Sequence, residues 1–342
     1  MGDPIDIKTK QIINPKDIST FKRTEVFSKL EENITKSWGA WGQLQQRWCS
    51  QSFKAYKDYD KFLVWMYLNN KAYTNLSHKF VYQSLEEFYK DSVKIDRVNL
   101  IEISEYLNIP KETIRRKINE FQEEGVLLRK GKEIMLLRES ALIERPEEAI
   151  GYLSIYIEKK IDSLRELEWF NHKINKEKIE IFIKKNFSMF WQMFYNLQLP
   201  YLIRHRKLFG DLETWNIWGI IALNHQTCLQ KKLDKDMKIS YEDVNVNNYF
   251  NTILDQKPSY GINASSISDI STIPRATVIR KLKWLTANKM TKKDKNLEYS
   301  MMKQGKLNKQ ISINFIINQN EVCKFVTDIL ELMLNSKFSI NE

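Results

Sequence analysis

Cysteine is scarce in this chain of 342 residues: Cys49, Cys228 and Cys323 stand far apart with no paired spacing. That excludes a disulfide framework and a cysteine-ligated zinc site, and it fits a reducing compartment. The four histidines, His78, His172, His205 and His225, are equally scattered. None has a partner at i+3 or i+4 that would set two metal ligands on one helix face. The chain has no phosphate-cradling GxxxxGK loop and no conventional nucleophile motif, so neither catalysis nor a cofactor is expected. The opening Met1-Gly2-Asp3-Pro4 lacks the charged-then-apolar pattern of a secretion signal. The longest uncharged run, Asn186 to Ile203, is interrupted by Asn186, Ser188, Gln192, Asn196, Gln198 and Pro200. It reads as a buried interface helix, not a membrane span. A cytoplasmic, nucleoid-associated protein without a membrane partner is expected.

Positive charge is abundant. The net charge is +11 with a pI near 9.2, and 42% of the residues are apolar. The apolar content supports globular folding, and the length suits two domains, each large enough for its own core. The charge balance favours a polyanionic partner, nucleic acid first.

The most informative stretch runs from Val98 to Leu137. Leu100, Ile103 and Leu107 fall at helical spacing, then Ile114, Ile118 and Phe121 do so again, with Asn108-Ile109-Pro110 between them. Pro110 suits a helix start, since its missing N–H costs nothing there and it drives Ile109 into an extended conformation. Gly125 closes the second helix, and Val126-Leu127-Leu128, Gly131 and Ile134-Met135-Leu136 read as a hairpin with a basic tip. Helix, turn, helix, hairpin is the plan of a winged helix-turn-helix. With the apolar residues turned inward, the second helix leaves Lys111, Thr113, Arg115, Arg116 and Lys117 facing outward. In such motifs this helix enters the DNA major groove. Lys130 and Lys132 on the wing would meet phosphates.

The same pattern returns 164 residues further on. Ile273-Pro274 matches Ile109-Pro110, Thr277 matches Thr113, Val278 matches Ile114, Arg280 matches Arg116, and Lys281 matches Lys117. Leu282 and Leu285 stand where Ile118 and Phe121 do. Upstream the register is constant at 153: Trp38/Trp191, Gln45/Gln198, Asp58/Asp211, Phe62/Trp215 and Trp65/Trp218. A repeat that keeps both the apolar and the basic positions points to internal duplication, the second copy carrying an insertion of 11 residues. Ile279 replaces Arg115 in the second copy, so the two recognition helices are inequivalent. From Arg275 to Lys309 there are eleven Lys or Arg against Asp294 and Glu298. Arg275, Thr277, Arg280, Lys281, Lys283, Lys292, Lys293, Lys295, Lys303 and Lys306 are therefore expected to contact DNA.

The expected fold is mainly α with small β-wings: two tandem winged helix-turn-helix units joined through long interface helices. An extended arm occupies 1–25. The first unit spans 26–168, with its helix-turn-helix at 98–124 and wing at 126–137. The second spans 169–338, with its helix-turn-helix at 262–288 and a longer wing at 290–317, where Ile311-Ser312-Ile313-Asn314-Phe315 looks strand-like. Each unit opens with one long helix, about Thr24 to Tyr56 and Lys176 to Arg206. Gly131 and Gly305 read as wing turns, and Lys231 to Pro258 as an enlarged linker.

The order long helix, second helix, helix-turn-helix, wing, closing helix resembles the MarR (multiple-antibiotic-resistance regulator) family over roughly residues 28 to 336. Those proteins are dimers whose first and last helices pack together and hold two winged domains over DNA. The resemblance implies a single-chain pseudo-dimer that is monomeric as a chain and regulates transcription by sequence-specific binding of double-stranded DNA. It also implies a place for a small aromatic effector, near Trp38, Trp41, Trp65, Trp191, Trp215 and Trp218. Aromatics at helical spacing also simply fill cores. Two other functions fit the same pattern. One is a plasmid-type replication initiator that recruits replication machinery. The other is a winged-helix docking module in a larger complex, for which Ile279 and Trp284 would supply the contact surface.

Overall fold

The computed structural model describes residues 21–90, 92–138, 145–170, 172–235, 244–255 and 261–335. The expected arm therefore lies outside the described residues up to position 20, as do 236–243 and 256–260 of the enlarged linker. The first half of the chain comprises α1 (Arg23–Glu32), α2 (Ile34–Tyr56), α3 (Tyr59–His78), α4 (Leu85–Lys90), β1 (Val93–Ile95), α5 (Leu100–Leu107), α6 (Lys111–Glu123), β2 (Leu127–Lys130), β3 (Glu133–Leu136) and α7 (Glu147–Asp162). The second half comprises α8 (Lys176–Lys185), α9 (Phe187–Phe209), α10 (Leu212–Leu233), α11 (Tyr249–Leu254), β4 (Ile262–Asn263), α12 (Ala264–Ser271), α13 (Arg275–Ala287), β5 (Thr291–Lys293), β6 (Glu298–Met301) and α14 (Asn308–Asn335).

The long helix expected at the start of each half is in fact two. Asn33 separates α1 from α2, and Asn186, 153 residues later, separates α8 from α9. The mechanism is the same at both. The asparagine Nδ2 donates to the carbonyl four residues back, Lys29 at 3.2 Å and Phe182 at 3.0 Å. An asparagine that competes for a backbone carbonyl in this way disfavours a continuous helix. Residues 23–25, expected in the arm, already belong to α1.

Each half then builds a helix-turn-helix closed by a three-stranded antiparallel sheet, in the order β1-β3-β2 and β4-β6-β5. In the first, Leu136 of β3 stands between Val93 and Leu127. Ile134 and Leu136 are buried while Met135 is exposed, the alternation of a half-covered strand. The leading strands β1 and β4 went unanticipated because three and two residues are too few to show a period.

The wing expected at 290–317 is much shorter. After β6 the chain turns and enters α14 at Asn308, so Ile311 to Phe315 is helical. Ile311 and Phe315 are buried and Ile313 is half exposed, whereas a strand would have buried all three. Val322, Val326, Ile329 and Met333 continue the same helical face. Gly305, Lys303 and Lys306 accordingly sit in the connecting turn, not on the wing.

The halves interlock through their scaffolds. α2 packs against α10, and α9 packs against α3, so the first long helix of each half lies on the second helix of the other. Trp48 meets Phe194 at 5.2 Å between ring centroids, and Trp41 meets Tyr201 at 5.8 Å. Polar bonds cross the same seam: Gln46 donates to Asn216, whose Nδ2 donates to the Tyr59 hydroxyl at 2.6 Å, and Asn70 bonds Asn196 at 2.9 Å. One continuous apolar core results.

Each recognition-type helix ends in the same way. Val126 N–H returns to Phe121 O and Met290 N–H returns to Leu285 O, both at 2.9 Å, across a residue in the left-handed region. That residue is Gly125 (φ +67°) in the first half but Lys289 (φ +57°) in the second. An L side chain is disfavoured there by about 1–2 kcal/mol, partly offset by the greater backbone freedom that glycine loses on folding. Lys289→Gly is expected to stabilise the protein by about 0.5–1 kcal/mol, seen as a higher urea midpoint with unchanged cooperativity.

Candidate nucleic-acid interface

Both helix-turn-helix elements form for local reasons. Asn99 caps α5 by accepting from Ile101 N–H at 3.0 Å, and Asn263 caps α12 by accepting from Ser266 N–H at 2.9 Å. α5 and α12 end at residues in the left-handed region, Asn108 (φ +54°) and Thr272 (φ +60°), and Pro110 and Pro274 start the next helix. Ser104 and Ser268 donate across the turn to the carbonyls of Ile109 and Ile273, at 2.6 and 2.7 Å. Each turn is also braced by the opposite half. Arg206, near the end of α9, donates to Asn108 O at 2.8 Å and pairs with Asp60 at 2.9 Å. Thr272 Oγ1 donates to Ser50 O of α2 at 3.1 Å.

The structure reassigns one pair of expected DNA contacts. Lys117 and Lys281 point inward, away from the solvent face. Lys117 is buried, its ammonium 2.6 Å from Asp58 and 2.9 Å from Glu120. Lys281 makes the matching ion pair with Asp211. Asp58 and Asp211 are the N-caps of α3 and α10, accepting from Asp60 and Lys61 N–H in the first and from Thr214 N–H and Oγ in the second. Burial alone would raise both carboxyls. The lysine and the cap donors outweigh it, and both are held below the usual aspartate range.

The remaining cations divide unevenly. On α6, Lys111, Arg115 and Arg116 are exposed and Thr113 half-buried, but Arg115 pairs with Glu112 and Arg116 lies 3.7 Å from Glu120. On α13, Arg275, Arg280 and Lys283 are exposed and the helix contains no acidic residue. Among the described residues, no acidic side chain pairs with Arg280 or Lys283. Thr277 and Ile279 are half-buried on the same helix, and Trp284 is 40% exposed. The tips carry exposed lysines: Lys130 and Lys132 flank Gly131 (φ +61°), where a tight hairpin turn needs glycine. Lys292, Lys293 and Lys295 line the second wing. Lys303 is drawn to Asp255, and Lys306 is exposed in the turn before α14.

With that geometry in place, comparison with known families gives one assignment. Residues 94–131 match the DeoR-like helix-turn-helix domain. The DeoR-like match takes in most of β1, both helices of the first head, β2 and the wing turn, and it marks this segment as a helix-turn-helix DNA-binding domain. No curated protein and no solved structure matches the chain. No helix among the described residues is long and apolar enough to cross a membrane.

The six tryptophans expected around one pocket are divided between two. Trp38, Trp41, Trp215 and Trp218 line a cavity of about 100 Å³ between α2 and the α9–α10 pair. Trp65 and Trp191 line a second of about 380 Å³, together with Trp48 and Arg145. The split follows from the interlocked scaffold, because a shift of 153 residues turns Trp38, Tyr201, Trp215 and Trp218 into Trp191, Trp48, Phe62 and Trp65.

Asp58→Ala or Asp211→Ala removes a cap and strands a lysine. With about a third of each carboxylate facing solvent (34% and 35%), the loss is expected to be about 2–3 kcal/mol. Because the folded-state values lie below the unfolded value of about 3.9, this contribution is complete above that pH and is lost as pH falls through the folded value. Urea midpoints of parent and variant should therefore differ at pH 7 and converge towards pH 3.

Proposed function

We propose that this chain is a non-enzymatic, sequence-specific double-stranded-DNA-binding transcriptional regulator. It would act as a MarR-like single-chain pseudo-dimer whose two heads are inequivalent. The observation that carries this reading is the second head. α13 repeats the turn, cap and lysine–aspartate tie of the DeoR-like segment, and it keeps an outward face of Arg275, Arg280 and Lys283 with no acid among them. Guanine edges and phosphates are the ligands such a face suits. Lys292, Lys293 and Lys295 on the adjacent wing suit phosphates, which add affinity without sequence discrimination. In the first head the acids beside Arg115 and Arg116 restrain non-specific attraction, so its contribution would lie in selection. Unequal heads favour an asymmetric site over a palindrome.

The regulatory input in this reading is a small effector in the 100 Å³ cavity. Its support is a run of contacts: Gln46 lines the cavity and donates to Ser50 Oγ at 3.2 Å, and Ser50 O accepts from Thr272 in the turn of the second head. An occupant that shifted Gln46 would act directly on the placement of α13.

Selection of bound fragments from random DNA, followed by fluorescence-anisotropy titration, tests the reading. Arg280→Ala is expected to weaken the selected site by about 1–3 kcal/mol and to relax preference at one position. Replacing Lys292, Lys293 and Lys295 by alanine should weaken all sequences alike and flatten the salt slope by about one per lost phosphate contact. Binding that is indifferent to sequence and vanishes at moderate salt would favour a protein-docking role, with exposed Trp284 as its anchor. Selection of a repeated, origin-like array would favour replication initiation.

A further inference from the structure

The walls of the 100 Å³ cavity specify more than its existence. It is floored by aromatic rings, with His205 stacked on Trp215 at 4.8 Å and an interplanar angle of 19°. Among the described residues no charged side chain lines it. Three nine-tenths-buried lining residues have polar atoms without a hydrogen-bond partner: the Gln45 amide (Oε1 and Nε2), the Trp218 indole Nε1 and His205 Nδ1. The neighbouring amides are already engaged, Gln46 with Ser50 and Asn216 and Gln226 with Tyr249 at 2.9 Å.

The state of His205 follows from its surroundings. Asn318 Oδ1 accepts from Arg204 Nε at 3.2 Å and from a second guanidinium nitrogen at 2.6 Å, which fixes the asparagine so that its Nδ2 donates to His205 Nε2 at 3.2 Å. His205 Nε2 is therefore the acceptor and the ring proton sits on Nδ1. Burial first, and the Arg204 charge after it, hold the imidazole neutral, with a pKa lowered to about 3. The cavity thus presents two fixed donors, the His205 and Trp218 N–H groups, and one amide that both donates and accepts.

We propose that the cavity binds an uncharged, planar, single-ring molecule carrying a hydrogen-bond acceptor beside a donor, of the carboxamide or lactam class. The volume sets the size, being on the scale of a void that admits benzene. The absence of a lining cation disfavours a carboxylate or phenolate, since a buried anion needs a paired charge. A purely apolar ring fits the floor but leaves Gln45, Trp218 and His205 unsatisfied. This proposal refines the effector reading above, and it is tested without DNA.

The test is isothermal titration of the full chain with three matched probes: benzamide, benzoate and toluene. Benzamide is expected to bind at one site at least tenfold more tightly than either of the others. In Gln45→Met, which keeps the side-chain length and loses the amide, that preference should disappear. Circular dichroism of the variant checks its fold, and the parent panel stands whatever the variant does. Benzoate or toluene binding as tightly as benzamide would overturn the proposal. So would no saturable benzamide binding, or crystals grown with benzamide that show only water beside Gln45 and His205. Whether benzamide alters affinity for the selected DNA is a separate readout, and it bears on the regulatory reading alone.

Discussion

A lysine turned inward from each recognition-type helix, clasped by the aspartate that caps a scaffold helix, is the interaction on which the arrangement of this protein depends. Lys117 with Asp58, and Lys281 with Asp211, join head to scaffold at the point where rotation of the helix would otherwise be easiest. Each aspartate already accepts backbone N–H groups at its helix start, so its position is fixed before the lysine arrives. An ion pair of this kind contributes little net stability compared with apolar packing, but it is costly to break from one side. Its effect is on orientation: it determines which face of α6 and α13 looks outward.

The same tie shows where the sequence is and is not legible. The two helix-turn-helix elements can be read from apolar spacing, from Pro110 and Pro274, and from the repeat at 164, because those signals are local. The inward lysines cannot, since a lysine on a helix usually faces solvent and the partner aspartate lies far upstream. A signal was nonetheless present, in that both the lysines and the aspartates recur between the halves. The breaks at Asn33 and Asn186 are of the same kind: a single side chain overrides a helical pattern that continues on both sides of it. Around Ile311 the difficulty is one of window. Five residues alternate like a strand, whereas the helical period of α14 shows only when Val322 and Val326 are counted with them.

The tryptophans illustrate a second limit. Their positions on helices follow from spacing, but their partition between two cavities depends on α2 crossing to α10 and α9 crossing to α3. Only that exchange puts Trp38 beside Trp215 and Trp218, and Trp191 beside Trp65. It also places Gln46, Ser50 and Thr272 in one run of contacts from scaffold to head. The unpartnered polar atoms at Gln45, Trp218 and His205 lie on the same seam, where shape and polarity were not settled by apolar packing alone.

The two heads are joined by one uninterrupted path of backbone, through α7 into α8. Subunits held only by surface contacts separate when scarce, and their joint action then varies as the square of their concentration. Here the stoichiometry is fixed by the peptide bond, and each head sees the other at an effective concentration on the order of millimolar whatever the copy number. Occupancy of a target gripped by both heads would therefore rise in simple proportion to the amount of protein made, down to a handful of molecules per cell.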